Sequence, residues 1–241
     1  MHKIIEQKSH IIHNENRAEY VGHIWSDIFS VVWISSKKII IEIAPWWVNK
    51  IGHGLKNIDF AWDLYIIEPN KKALDMIVSQ YKKELPYANI IPVQTTVKDA
   101  IPYLPKNVWA IVSNHPLDDM IMGKSLDKKY FDDFFDDHYD YSSGEKTRKL
   151  WEKLEKNAEA MQKAKEETIE DMIKMLAHTN PEYVIISQYE SCFFKNNNIP
   201  WPDNHAYEVL QSLKNTYKDS IIHPYSSEIQ DTERWMTLHL R

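Results

Sequence analysis

Five short apolar runs, rich in β-branched residues and hardly interrupted by polar ones, constrain this chain more than any other feature. They are Ile39-Ile40-Ile41-Glu42-Ile43, Leu64-Tyr65-Ile66-Ile67-Glu68, Ile90-Ile91-Pro92-Val93-Gln94, Val108-Trp109-Ala110-Ile111-Val112 and Tyr183-Val184-Ile185-Ile186-Ser187. A strand without alternation has no solvent face, so it must be covered on both sides, as strands of parallel sheets are. The segments between the runs supply the covers. Residues 71–84 place Ala73, Leu74, Ile77, Val78 and Tyr81 at helical spacing, and a shorter helical segment runs from Val97 to Leu104. Ahead of the first run, Asn14 and Asn16 are both suited to cap a helix carrying Tyr20, Val21, Ile24, Trp25, Ile28 and Phe29 on one stripe. Strands alternating with helices predict a doubly wound, mostly parallel α/β sheet.

The end of the chain departs from that rule. After a helix through Val209, Leu210, Leu213 and Tyr217 come Ile221-Ile222 and an alternating strand from Trp235 to Leu240. Their connection is too short for a parallel crossover, so an antiparallel hairpin at the sheet edge is expected, completing seven strands. A second departure is the region 123–180, which is charged and holds no strand candidate. Its longer half starts at a capping-box pattern, Ser142-Ser143-Gly144-Glu145, and stops at Asn180-Pro181. Read as one helix of about 35 residues, it would be roughly 50 Å long and would have to project, bend or find a partner. A lid or the arm of a homodimer is the expectation. The organisation predicted is a single domain over 1–241, with an N-terminal helical segment at 1–36 and a helical insertion at 123–180.

Charge and cysteine usage narrow the partners. Against 35 Asp and Glu stand 29 Lys and Arg, a net charge of −6, which disfavours nucleic acid as a partner. No apolar run is long enough to span a bilayer and the start, MHKIIEQKSH, is not a signal peptide, so no membrane role and a cytoplasmic location are expected. Cys192 is the single cysteine, which excludes an intrachain disulfide or a cysteine zinc cage and fits a reducing compartment.

Open parallel sheets bind ligands outside the carboxyl ends of their strands. Glu68, at the end of the second run, can accept both hydroxyls of a ribose or be an ordinary solvated strand end; Asn70 can simply cap the next helix. Ile41-Glu42-Ile43-Ala44-Pro45 resembles motif I of the class I S-adenosylmethionine-dependent methyltransferases, and Ile67-Glu68-Pro69-Asn70 resembles their motif II at the family's spacing. Ser113-Asn114-His115-Pro116-Leu117 is similar to the Asn-x-Pro-Tyr motif IV of the amino-methylating members. The resemblance covers about 37–122 and, more weakly, 181–241. It implies a Rossmann-like methyltransferase domain with S-adenosylmethionine held by Glu42, Ala44, Pro45, Glu68, Pro69, Asn70, Gln94, Thr95 and Asn114. It implies further that Asn114 and His115 are catalytic, Pro116 fixing their turn, and that Trp46, Trp47, Pro116 and Asp118 face the substrate.

Several positions carry two readings. Ala44 and Trp46 stand where the family has glycines, which let the backbone approach the ligand. Gly52 and Gly54 would supply the tight turn in a longer loop, or merely start or break a helix. Trp46 and Trp47 would stack on a flat ring, or pack the end of the sheet against the insertion. Gln94 and Thr95 would bond an adenine amino group, or form a plain turn. His115 would position the acceptor, or serve as general base. Leu117 replaces the aromatic that stacks on a nucleobase, which counts against nucleic-acid adenine. Asp118-Asp119 and the acidic run 132–140 are oxygen-rich enough for Mg²⁺ or Ca²⁺, but Asp133, Asp136, Asp137 and Asp140 at helical spacing read rather as a solvated face, which could equally receive a cationic substrate. The expected function is methyl transfer to nitrogen or oxygen of a small molecule. The alternatives are a catalytically dead methyltransferase-like fold that mediates assembly and, against the missing Gly-x-Gly-x-x-Gly, a nicotinamide-dependent oxidoreductase.

Overall fold

The apolar runs become strands no more than two residues from where the pattern puts them. The structure is a computed structural model, which describes residues 15–32, 38–45, 49–127, 131, 144–223, 229 and 231–241. Its elements in order are α1 (Glu15–Val32), β1 (Ile40–Ile43), α2 (Lys50–Lys56), β2 (Asp63–Ile67), α3 (Lys71–Glu84), β3 (Asn89–Val93), α4 (Val97–Ala100), β4 (Ala110–Asn114) and α5 (Leu117–Ser125). There follow α6 (Gly144–Glu155), α7 (Ala158–Thr179), β5 (Tyr183–Ser187), α8 (Cys192–Asn196), α9 (Trp201–Thr216), β6 (Ile221–Ile222) and β7 (Trp235–His239). The strands lie in the order β3-β2-β1-β4-β5-β7-β6. The pairs from β3 to β5 are parallel, while β7 runs antiparallel to both β5 and β6. Six strands have four or five residues; the expected seventh, β6, is reduced to a two-residue edge.

β1, β4 and β5 are buried at every position, which is why their sequences do not alternate. One face carries α4, α5, α7 and α9 on Ile41, Ile43, Ile111, Val184 and Ile186. The other carries α1, α2 and α3 on Ile40, Leu64, Ile66, Val112 and Ile185. No helix among the described residues is long and apolar enough to cross a membrane.

Three expectations are corrected. The single long helix of the insertion is two helices, because Asn157 leaves helical geometry and its side chain accepts the N–H of Ala160 at 3.2 Å, capping α7. α7 buries Met161, Ala164, Met172, Met175 and Leu176 against the sheet, so the second half of region 123–180 is the crossover from β4 to β5. Much of its first half, like the acidic run 132–140, lies outside the described residues. Gly52 and Gly54 form no ligand turn and break no helix: both are inside α2. A Cβ on Gly54 would lie 2.6 Å from Trp25 Cβ, and one on Gly22 2.4 Å from His53 Cβ, so this pair lets α1 and α2 cross in close contact. Gly52 makes room for Tyr81 and Asn49, whose atoms would lie 2.2 and 1.9 Å from an added Cβ.

Candidate active site

The carboxyl ends of β1, β2, β4 and β5 bring most of the expected residues to one edge of the sheet. Beyond β1 the chain must turn sharply, and Ala44 does so in the left-handed region with φ 46°, its N–H donating to the Ile67 carbonyl at 2.9 Å. A glycine would adopt that conformation without cost. Pro45 is buried behind it. Trp46 and Trp47 lie outside the described residues.

Glu42 points to the α2 side of β1 and is 1% exposed. Burial pushes its carboxyl up to about 8, offset in part by the Tyr81 hydroxyl, so the group is mostly protonated at neutral pH. Its Oε2 and both polar side-chain atoms of Asn49, the residue preceding α2, are buried without a hydrogen-bond partner among the described residues. Buried polar atoms are normally paired. At the end of β1 these atoms lack a partner among the described residues.

At the end of β2, Glu68 is buried, and its Oε1 accepts the backbone N–H of Asn70 at 2.9 Å. Asn70 in turn accepts the N–H of Ala73 at 2.9 Å, the helix-cap reading, with Pro69 half-buried between them. After β3, Gln94 is exposed and Thr95 returns its N–H to the Val93 carbonyl at 3.0 Å, which is a turn.

The ends of β4 and β5 are wired differently. Asn114 Oδ1 accepts from Trp25 Nε1 at 3.2 Å and from Ser187 Oγ at 3.1 Å, while its Nδ2 donates to the Tyr189 hydroxyl at 3.0 Å. Its carbonyl, the natural seat for a target amine, is thereby filled by the protein. His115 also takes the left-handed region, φ 64°. Its Nδ1 lies 3.0 Å from Asp118 and its Nε2 3.6 Å from Asp203. Burial alone would lower the imidazole, but Asp118 and Asp203 outweigh it and hold the group well above the usual histidine range. An imidazolium has no lone pair, so in this arrangement His115 organises charge rather than accepting a proton. Asp118 also accepts from Gln188 Nε2 at 3.1 Å, and Gln188 Oε1 takes the N–H of Leu117 at 3.0 Å, locking β5 to the start of α5 behind the buried Pro116. Half-buried Asp119 is raised well above the carboxylate range by burial and by Asp118, and its electrostatic neighbours include Glu68 and Lys50.

Lys50, Tyr189, Gln188, Asp203 and Trp25 escape the sequence reading. Gln188 and Tyr189 alone had a signal, since they lie one and two residues past a strand end. The others arrive through contacts far apart in sequence, such as Lys50 Nζ to the Tyr189 hydroxyl at 2.9 Å. Among the described residues, no group of three or more His, Cys, Asp or Glu could hold a metal ion. A cavity of about 500 Å³ lies at the opposite edge of the sheet, lined by Lys38, Trp62, Asp63, Tyr87, Trp109 and Glu182.

No family model and no curated protein matches this chain in sequence. Solved structures match it in fold. The plantazolicin methyltransferase BpumL in complex with SAH is 10% identical at a TM-score of 0.50, covering 99% of this chain and 90% of its own. An rRNA methylase from Streptococcus thermophilus is 12% identical at a TM-score of 0.45, with coverages of 89% and 93%. With its parallel sheet and its antiparallel β7, the chain shares the fold of that plantazolicin methyltransferase.

Proposed function

We propose that this protein transfers a methyl group from S-adenosylmethionine to a nitrogen or oxygen of a small molecule. The observation that carries the reading is the unsatisfied cradle of Glu42 and Asn49 at the end of β1, one strand away from buried Glu68. The cofactor offers an amino-acid end and a ribose, which match those two positions. An ammonium beside Glu42 would return its carboxyl to the ionised form, and a carboxylate would take the Asn49 amide. Glu68 is placed for the ribose hydroxyls. Ala44 makes a left-handed turn where the resemblance places a glycine, so the exchange by itself does not remove the bend. When bound, S-adenosylmethionine supplies a methyl group on a positively charged sulfur that departs as a neutral thioether.

Thermal melting with S-adenosylmethionine, S-adenosylhomocysteine and NAD tests the reading. A ligand at 100 times its Kd adds about 2.7 kcal/mol of stability. Stabilisation by both adenosyl ligands, lost in Glu68→Ala, is expected. Stabilisation by NAD alone would move the protein to the oxidoreductases, and no response to any of the three would leave an assembly role for the fold.

A further inference from the structure

At the amino ends of the strands, Lys38 is a buried cation that the crevice does not use. It stands just ahead of β1 and is 2% exposed, yet among the described residues its ammonium donates no hydrogen bond. Its Nζ lies 4.6 Å from the centre of the Trp109 ring, a cation–π contact that leaves the N–H donors without an oxygen to bond. Burial lowers the group from the ordinary lysine range, and Glu182 opposes that shift without forming an ion pair with it. Buried charges are normally both paired and hydrogen-bonded. Lys38 instead borders the cavity of about 500 Å³ at this edge of the sheet.

The walls come from residues that lead into the parallel strands. Trp62 precedes β2, Tyr87 lies two residues ahead of β3, Trp109 precedes β4 and Glu182 precedes β5. Their backbones are fixed: Asn89 donates its N–H to the Trp62 carbonyl at 3.0 Å, Trp109 to that of Ile39 at 2.9 Å and Glu182 to that of Val108 at 3.1 Å. The Trp62 ring meets Phe60 edge-on with centres 5.6 Å apart, and the Trp109 ring has Phe29 and Tyr183 at 6.3 and 6.2 Å. Rings held in this way offer a flat ligand a surface already in place. Charge limits what that ligand is. Arg241 is anchored through Nη2 to the carbonyls of Val108 and Asn180, and Asp63 accepts from Asn89 Nδ2 at 3.0 Å. Two cations, Lys38 and Arg241, thus face two carboxylates, Asp63 and Glu182. One negative charge set on Lys38 is favourable, whereas the second charge of a phosphate would be repelled by those carboxylates.

We propose that this cavity is a second ligand site, which takes a small aromatic monocarboxylate with its carboxylate on the Lys38 ammonium and its ring against the aromatic wall. A charge-assisted hydrogen bond of that kind supplies the acceptor Lys38 lacks. The volume of about 500 Å³ is that of a small-molecule site. The site is separate from the crevice. The strands between them have up to five residues, and at about 3.3 Å per residue the two edges of the sheet lie roughly 15 Å apart. A molecule held here is beyond the reach of the groups at the carboxyl ends, so it is not the acceptor of a methyl group, and the proposal stands independently of the methyl-transfer reading.

Isothermal titration of the 241-residue protein with sodium 1-naphthoate is the test. A single equivalent should bind, and affinity should fall about tenfold or more in Lys38→Met, the loss of one hydrogen bond to a charged group. The amide 1-naphthamide, with the same rings and no charge, should bind the unaltered protein weaker than naphthoate by about the same factor, which reads the charge requirement even where the variant does not fold. The ester 1-naphthyl phosphate should bind no more tightly than naphthoate. Naphthoate binding should persist in Glu68→Ala and in the presence of excess S-adenosylhomocysteine. No binding of naphthoate, equal affinity in Lys38→Met, equal affinity for the amide, tighter binding of the phosphate, or displacement by S-adenosylhomocysteine would overturn the proposal. Naphthoate bound by a protein that ignores S-adenosylmethionine would defeat the methyl-transfer reading and support this one.

Discussion

The two halves of the crevice are built from neighbouring strands yet follow opposite rules. At the ends of β1 and β2, Glu42 is buried and mostly neutral, and three polar atoms there have no partner among the described residues. At the ends of β4 and β5, Asn114, His115, Asp118, Gln188 and Tyr189 are joined by hydrogen bonds and ion pairs before any ligand arrives. The first half is left incomplete, which costs stability. The second is arranged in advance, so that little reorganisation is needed when charge moves.

The comparison can be broken most forcefully on the wired side. Asp118→Ala leaves the His115 imidazolium with only Asp203 at 3.6 Å and strands Gln188 Nε2. Urea unfolding should register a loss of about 3–5 kcal/mol, the cost of an uncompensated buried charge. A change no larger than that of a surface substitution would mean the network is not prearranged.

On the incomplete side the effect is in pH. The folded protein holds a proton on Glu42 up to about pH 8, whereas the unfolded chain releases it near 4.5. This group therefore makes stability fall as pH rises from 4.5 to about 8, by up to about 1.4 kcal/mol per pH unit, and contributes no further slope above that. Glu42→Gln should flatten the fall in a series of urea melts across that range. An unchanged slope would show that Glu42 is not buried as a neutral acid. The smallest effect is at the turn beside it. Ala44→Gly removes a left-handed alanine but frees the unfolded chain, so a net gain of up to about 1 kcal/mol is expected in thermal melting. A loss would place the strain elsewhere.

Most of the sheet could be read from the sequence because burial on both faces writes itself locally: Tyr183–Ser187 and helix Lys71–Glu84 fall where the pattern puts them. The break at Asn157 could not be, since the apolar spacing of Trp151, Leu154, Ala158 and Met161 continues across it. Gly52 and Gly54 misled for a related reason. A glycine's purpose depends on what passes over it, and Gly22 and Tyr81 are supplied by other helices. Within the crevice, strand ends gave the positions of Glu42, Glu68, Asn114 and His115. Their charge states depend on burial and on partners such as Asp203 and Lys50, which no local motif announces.

The place of β7 between β5 and β6 has a consequence for synthesis. β5 is buried at all five positions and depends on β7, made much later, to cover one of its edges. Until β7 has left the ribosome, a nascent chain offers an open, largely apolar strand edge to any similar strand nearby. The sheet is therefore not closed during translation until β7 has been made.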